Sequence, residues 1–360
     1  MAHTSQRRFG PLAGIFFGIA GGVALGACVL APILPEGDSG TETITPAQLK
    51  EARLDAEIGA AQADTADAVV ASVAEETVSG TLIDQSVLLV TTPGADQEDV
   101  DNIAWLLGKA GAVDAGTVTL TDKFLNQEGA DGLKTIVTST LPAGAQLSLD
   151  RLDPGTHSGE ALGAALFKDV ATGEPQAEVG ERDLLLNALS EAGFITFEQG
   201  TLQPADIIVI ITGDDDGSGD RFAAKNLATF ATALDTRGRG VVLAGRVHTA
   251  ADTGAIGVLR ADPDANSHVS TVDSIDRAYG RMATVLAARY EREGDSGSYG
   301  SAASVEAAAP ARRTGPIREP EAPAVGDTEP EAPAVGDTEP EAPAEEQPAA
   351  EQPAPAPATE

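Results

Sequence analysis

The stretch DIIVIIT, Asp206–Thr212, decides the fold. It is a short, β-branched, wholly apolar run that leads into the turn-forming GDDDGSGD of Gly213–Asp220. A run of that length and composition reads as a strand buried on both faces. Two further segments share its character: SVLLVTT, Ser86–Thr92, closed by Pro93-Gly94, and GVVLAG, Gly240–Gly245. Thr117–Leu120 and Phe194–Phe197 are weaker strand candidates. Between the strands lie helical patterns. Glu98–Lys109 places Val100, Ile103, Ala104, Leu106 and Leu107 at helical spacing. Arg182–Ala192 is stopped by Gly193. Leu133–Leu141, Gly159–Phe167, Phe222–Leu234 and Gly280–Tyr290 complete the set.

Apolar strands alternating with helices predict a sheet covered on both faces, a doubly wound, mostly parallel α/β domain over 86–300. That is a sensible size for one domain or two small halves. An outer-membrane barrel would need many alternating strands of ~10 residues and aromatic girdles. The chain has only 9 Phe, 3 Tyr and 1 Trp in 360 residues, which argues against one.

Outward from the domain, the amino terminus places the chain at a membrane. Residues 1–10, with Arg7 and Arg8, form a cytoplasmic start. Residues 11–34, PLAGIFFGIAGGVALGACVLAPIL, carry no charge and are long enough to span a hydrocarbon layer that needs about 20 helical residues. Arginines before the span and Glu36 and Asp38 after it predict a single-pass signal anchor in the cell membrane, with the bulk of the chain extracytoplasmic. Gly10, Gly14, Gly18, Gly22 and Gly26 make one stripe, which lets membrane helices pack closely; glycine is also simply frequent in such helices. Cys28, in Leu-Gly-Ala-Cys, is a lipidation candidate, although the apolar run continues past it. Residues 46–79 follow as an amphipathic helix opened by Thr45-Pro46. Its alanine-rich stripe suits coiled-coil pairing, hence a homo-oligomer.

The net charge is −33, and 12 of the acids fall between Glu319 and Glu360, which has no Lys or Arg and holds 10 of the 22 prolines. A decapeptide, Glu-Pro-Glu-Ala-Pro-Ala-Val-Gly-Asp-Thr, starts at Glu319 and repeats from Glu329. Such a segment buries too little apolar surface to offset chain entropy, so 301–360 is expected to be a disordered, self-repelling tail. The acidity also argues against nucleic acid as a partner. The single Cys excludes an internal disulfide framework.

Candidate chemistry is sparse. Ligands of doubly wound sheets bind beyond the carboxyl ends of the strands, here Thr91-Thr92-Pro93-Gly94, Thr212-Gly213-Asp214 and Gly245-Arg246. No Gly-x-Gly-x-x-Gly follows the first strand and no Gly-Lys-Ser/Thr loop occurs, so a nucleotide cofactor lacks its cradle. Asp214, Asp216 and Asp220 offer hard oxygen ligands to a metal ion, but they equally suit a solvated turn before a helix, the reading their Gly/Ser/Asp setting favours. His157 and His248 read as surface-loop residues, since no second donor lies nearby. Asp273 and Asp276 read as helix-cap or turn acids. No nucleophile elbow marks a hydrolase, and the chain is not expected to be an enzyme or to hold a cofactor.

The segments SVLLVTTPGADQEDVDNIAWLLGKAGA, TVTLTDKFL, STLPAGAQL, ERDLLLNALSEAGFIT, GVVLAGR, STVDSIDRAYGRMATVLAARYE and the short SYG around 299 resemble the mycobacterial copper transport protein B (MctB) family of actinobacterial envelope proteins. The resemblance implies copper transport and copper homeostasis that keep intracellular copper low, with a channel role in the outer envelope. Copper ion is then the cargo and the lipid bilayer a partner. No metal ligand of the family transfers to a numbered position here. The alternative is a non-enzymatic envelope scaffold or binding module that oligomerises through its helix.

Overall fold

A computed structural model describes residues 46–317, apart from 239. The apolar run 11–34, its glycines at 14, 18, 22 and 26, Cys28 and the repeats from 319 lie outside the described residues. Among those described, no helix is long and apolar enough to cross a membrane.

The described chain is a mixed α/β fold with a seven-stranded, mostly parallel sheet. In chain order the strands are β1 (Ser86–Thr91), β2 (Val113–Leu120), β3 (Ile195–Phe197), β4 (Ile207–Ile211), β5 (Val241–Ala244), β6 (Ser270–Val272) and β7 (Ser298–Tyr299). They lie side by side as β3-β2-β1-β4-β5-β6-β7, and only β3 runs antiparallel to its neighbour. The DIIVIIT run supplies β4 at the centre, where all five residues are buried.

Its alternation explains the layers. Leu88, Val90, Ile208 and Ile210 point into one core, and Val87, Leu89, Ile207, Val209 and Ile211 into the other. Successive strand residues face opposite sides, so each side of an all-apolar strand needs its own cover. The first core takes Pro154–Leu166, Val179–Glu191 and Arg221–Gly238; the second takes Gln97–Lys109, Ala278–Arg292 and the end of Pro46–Val78.

The first core is drawn tight by Pro154–Leu166 against Arg221–Gly238. At Gly159 an added Cβ would sit 2.5 Å from the Phe230 carbonyl oxygen, so only glycine permits that approach. The helix starts five residues earlier than its apolar pattern suggests. Asp153 caps it by accepting from the Thr156 N–H, and Pro154 occupies the first helical position. His157 therefore lies on a helix and is buried, which corrects its reading as a surface-loop residue.

The long helix Pro46–Val78 meets the body only over its last turns. Ala74 and Val78 are buried, and Asp67 accepts from the N–H groups of Ala278 and Tyr279. A carboxylate from one helix thus caps the start of another. Residues 301–317, grouped by composition with the tail, pack on the body instead. Arg289 donates to the carbonyls of Gly315 and Pro316, and Arg312 donates to those of Thr77 and Ser79. Arg313 pairs with Glu293 and Asp295 and lies 3.5 Å over the Tyr290 ring.

Candidate functional site

The connections that leave the carboxyl ends of the paired strands β1 and β4 part in opposite directions, from β1 to β2 on one side and from β4 to β5 on the other. A crevice of about 440 Å³ opens there, where a doubly wound sheet is expected to hold its ligand. Its floor is backbone. The Thr92 N–H donates to the Ile211 carbonyl, the Thr92 hydroxyl lies 3.3 Å from that of Thr212, and Gly94 packs against Gly213. A Cβ on Gly213 would fall 2.1 Å from the Gly94 oxygen, so the two strand ends can meet only with glycine at 213.

The walls carry Asp122, Asp214, Asp215 and Asp220, with no lysine or arginine among the lining residues. Arg246, which follows β5 and bonds through its backbone N–H to the Gly213 carbonyl at the crevice, is already paired with carboxylates. Its Nε bonds Asp99 at 2.7 Å and its Nη2 bonds Asp96 at 3.0 Å. The hydrogen bond that Arg246 donates to Asp99 outweighs burial and raises the Arg246 pKa above its ordinary value. Four carboxylates on a lining that holds no lysine or arginine draw cations and repel phosphates, the opposite of a nucleotide cradle.

Each predicted aspartate has a local task. Asp214 Oδ2 lies 2.8 Å from His248 Nδ1 and so fastens the turn after β5 to the turn after β4. Asp216 accepts from the Ser218 N–H, and that bond lowers its pKa. Asp220 caps the helix at Arg221 by accepting from the N–H groups of Phe222 and Ala223. Asp214 and Asp220 both line the crevice, while Asp216 does not. Among the described residues no three His, Cys, Asp or Glu side chains come together as a metal site.

His157, elsewhere in the first core, has its Nε2 3.1 Å from the Ser148 carbonyl. Asp273 is not a turn or cap acid. It is fully buried and pairs with Arg260, while the helix start at Ala278 is capped by Asp67. Sequence reasoning missed Asp122, Asp215 and the Arg246–Asp99 pair. The crossing arm of that pair spans 147 residues and leaves no local pattern.

Comparison with known proteins adds what the geometry lacks. The family described as "Copper transport outer membrane protein, MctB" matches residues 11–310. The chain is 33% identical over 278 residues to proteins named copper transporter MctB from Mycobacterium bovis and Mycobacterium tuberculosis, covering 77% of this chain and 88% of theirs. The Mycobacterium leprae protein of that name is 34% identical over 208 residues, 56% of this chain and 65% of its own.

Proposed function

This chain belongs to the MctB family, and from that premise we propose that it serves copper transport as an envelope protein that keeps intracellular copper low. The observation that carries this reading is the extent of the match. Residues 11–310 include both the apolar run and the whole α/β body. In this reading 11–34 anchors the chain in a membrane with its start inside and its body outside. The protein handles copper as cargo and performs no bond chemistry. The acidic crevice gathers cations at the body without caging one, which suits passage better than storage.

The decisive experiment deletes the gene and measures cell copper under copper load. Copper is expected to rise several-fold, and to return to normal with the full chain but not with one lacking 11–34. Normal copper in the deletion strain would overturn the transport reading.

One anchor helix per chain offers no conduit, so the path requires several chains or a partner. The long helix favours copies of itself. Leu54, Ile58, Val69 and Val73 are exposed, between 46% and 62%. At about 100° per residue they gather on one side, opposite the buried Ala74 and Val78. The full chain in mild detergent is expected to sediment as a dimer or larger, and the L54K/I58K/V69K/V73K variant as a monomer. A monomeric parent would remove this part of the proposal. The same stripe favours a second reading, a scaffold that oligomerises through its helix; in that case the deletion strain keeps normal copper.

A further inference from the structure

Arg182 lies away from the crevice, beside β3 on the far side of β2. Helix Val179–Glu191 carries it in its first turn, where it is only 7% exposed. Its Nε is buried without a hydrogen-bond partner, and its guanidinium makes no ion pair or hydrogen bond among the described residues. Equally buried arginines are satisfied. Arg260 reaches Asp273, Thr271 and the Tyr299 carbonyl, and Arg289 reaches Glu293 and the Thr81 carbonyl. A guanidinium keeps its charge at any ordinary pH, and leaving its Nε–H buried with no acceptor is costly. An acceptor supplied from outside would remove that cost.

Space for one exists. Arg182 lines a cavity of about 330 Å³ between its helix and the segment that follows β3. Phe197 and Leu202 give the cavity an apolar wall, while Asn187, Gln199 and Gln203 bring amide groups to it. Gln199 Nε2 donates to Asn187 Oδ1 at 2.8 Å, which orients the Asn187 amide and leaves its own N–H groups to donate elsewhere. Asp183 also lines the cavity, but adjacent helical residues do not face each other and the two form no ion pair.

We propose that this cavity binds a small organic carboxylate, with Arg182 forking the carboxylate oxygens and Phe197 and Leu202 covering the carbon skeleton. A guanidinium matches a carboxylate with two parallel hydrogen bonds. The single cation beside Asp183 favours a singly charged acid over a doubly charged phosphate, and the apolar wall favours a ligand with a carbon body.

Calorimetric titration of the full chain in neutral detergent tests this with phenylacetate, butyrate, butan-1-ol and orthophosphate. Phenylacetate is expected to bind saturably at one per chain, with orthophosphate at least tenfold weaker and butan-1-ol silent. Arg182→Met is expected to weaken phenylacetate binding at least tenfold and to melt no lower than the parent, because it removes an unpaired buried charge. Arg182→Lys keeps the charge without the fork, so it is also expected to bind at least tenfold more weakly; it keeps the test open if the methionine variant fails to fold. Absence of carboxylate binding by the parent, parental affinity in both variants, or tighter binding of orthophosphate would each overturn the proposal.

Discussion

Asp273→Ala is expected to destabilise the fold by about 3–5 kcal/mol, the range for breaking one arm of a buried ion pair. Asp273 is fully buried, and its Oδ2 lies 2.9 Å from Nη1 of an Arg260 whose side chain is 4% exposed. Burial pulls the Arg260 pKa down, and the hydrogen bond and charge of Asp273 oppose that pull. Without the carboxylate the guanidinium stays buried with only the Thr271 and Ser304 hydroxyls and two carbonyls for company. A second loss follows at Oδ1, which accepts from the Ser301 N–H at 2.6 Å and from the Ser274 hydroxyl at 2.8 Å. Those bonds tie the chain after β7 to the end of β6.

At about 2–4 °C per kcal/mol for a body of this size, the melting temperature should fall by roughly 10 °C. Amide exchange at Ser301 and Ala302 should quicken ahead of the rest of the sheet. The double variant R260M/D273M should be less unstable than either single change, because it strands no charge. A loss below about 1 kcal/mol in Asp273→Ala would mean that Arg260 finds water, contrary to its burial.

The same residue shows where a sequence stops being legible. DIIVIIT announces its strand because β-branched apolar residues in series have few alternatives, and it lies at the centre of the sheet. Ser270–Val272 and Ser298–Tyr299 announce nothing. Ser270, Thr271 and Ser298 are polar and buried, and they are satisfied by partners such as Glu291 and Asn266 that lie elsewhere in the chain. Pro154–Leu166 was legible only from Gly159 onward. Its first turn, Gly-Thr-His-Ser, resembles a loop until Arg221–Gly238 is known to press against it. The crevice was legible as a place, since strand-end loops are recognisable, but not as a charge pattern. Asp122 arrives from beyond β2, and Arg246 is silenced by carboxylates 147 and 150 residues away.

Glu291→Gln is expected to make the protein more stable at pH 8 while changing little near pH 4.5. Glu291 is 3% exposed on Ala278–Arg292, and its Oε1 accepts from the Ser270 N–H at 2.5 Å. Burial first, and then the charge of Asp235 on the helix that covers the other face of the sheet, push its pKa well above the usual carboxylate range; Asp295 adds to the effect. The hydroxyl of Tyr299, from β7, also senses this charge and is itself pushed up to about 12, chiefly by burial. The folded state therefore holds the Glu291 proton more tightly than the unfolded chain does. Its contribution is complete below the unfolded pKa of about 4.3 and is lost as pH rises through the folded value.

Asp206 works in the opposite sense. Burial would raise its pKa, but hydrogen bonds from Lys168 and Ser86 outweigh that and hold it low, so its contribution disappears as pH falls through the folded value. Stability should therefore fall away on the acid side through Asp206 and decline on the alkaline side through Glu291. Glutamine keeps an oxygen for the Ser270 N–H and carries no proton to lose. The advantage of Glu291→Gln should therefore grow as pH rises from 4.5 to 8. Urea midpoints at pH 4.5, 6.5 and 8 read the effect directly. If the parent and the variant decline in parallel toward pH 8, the alkaline slope belongs to another group and Glu291 is ionised at no cost to the fold.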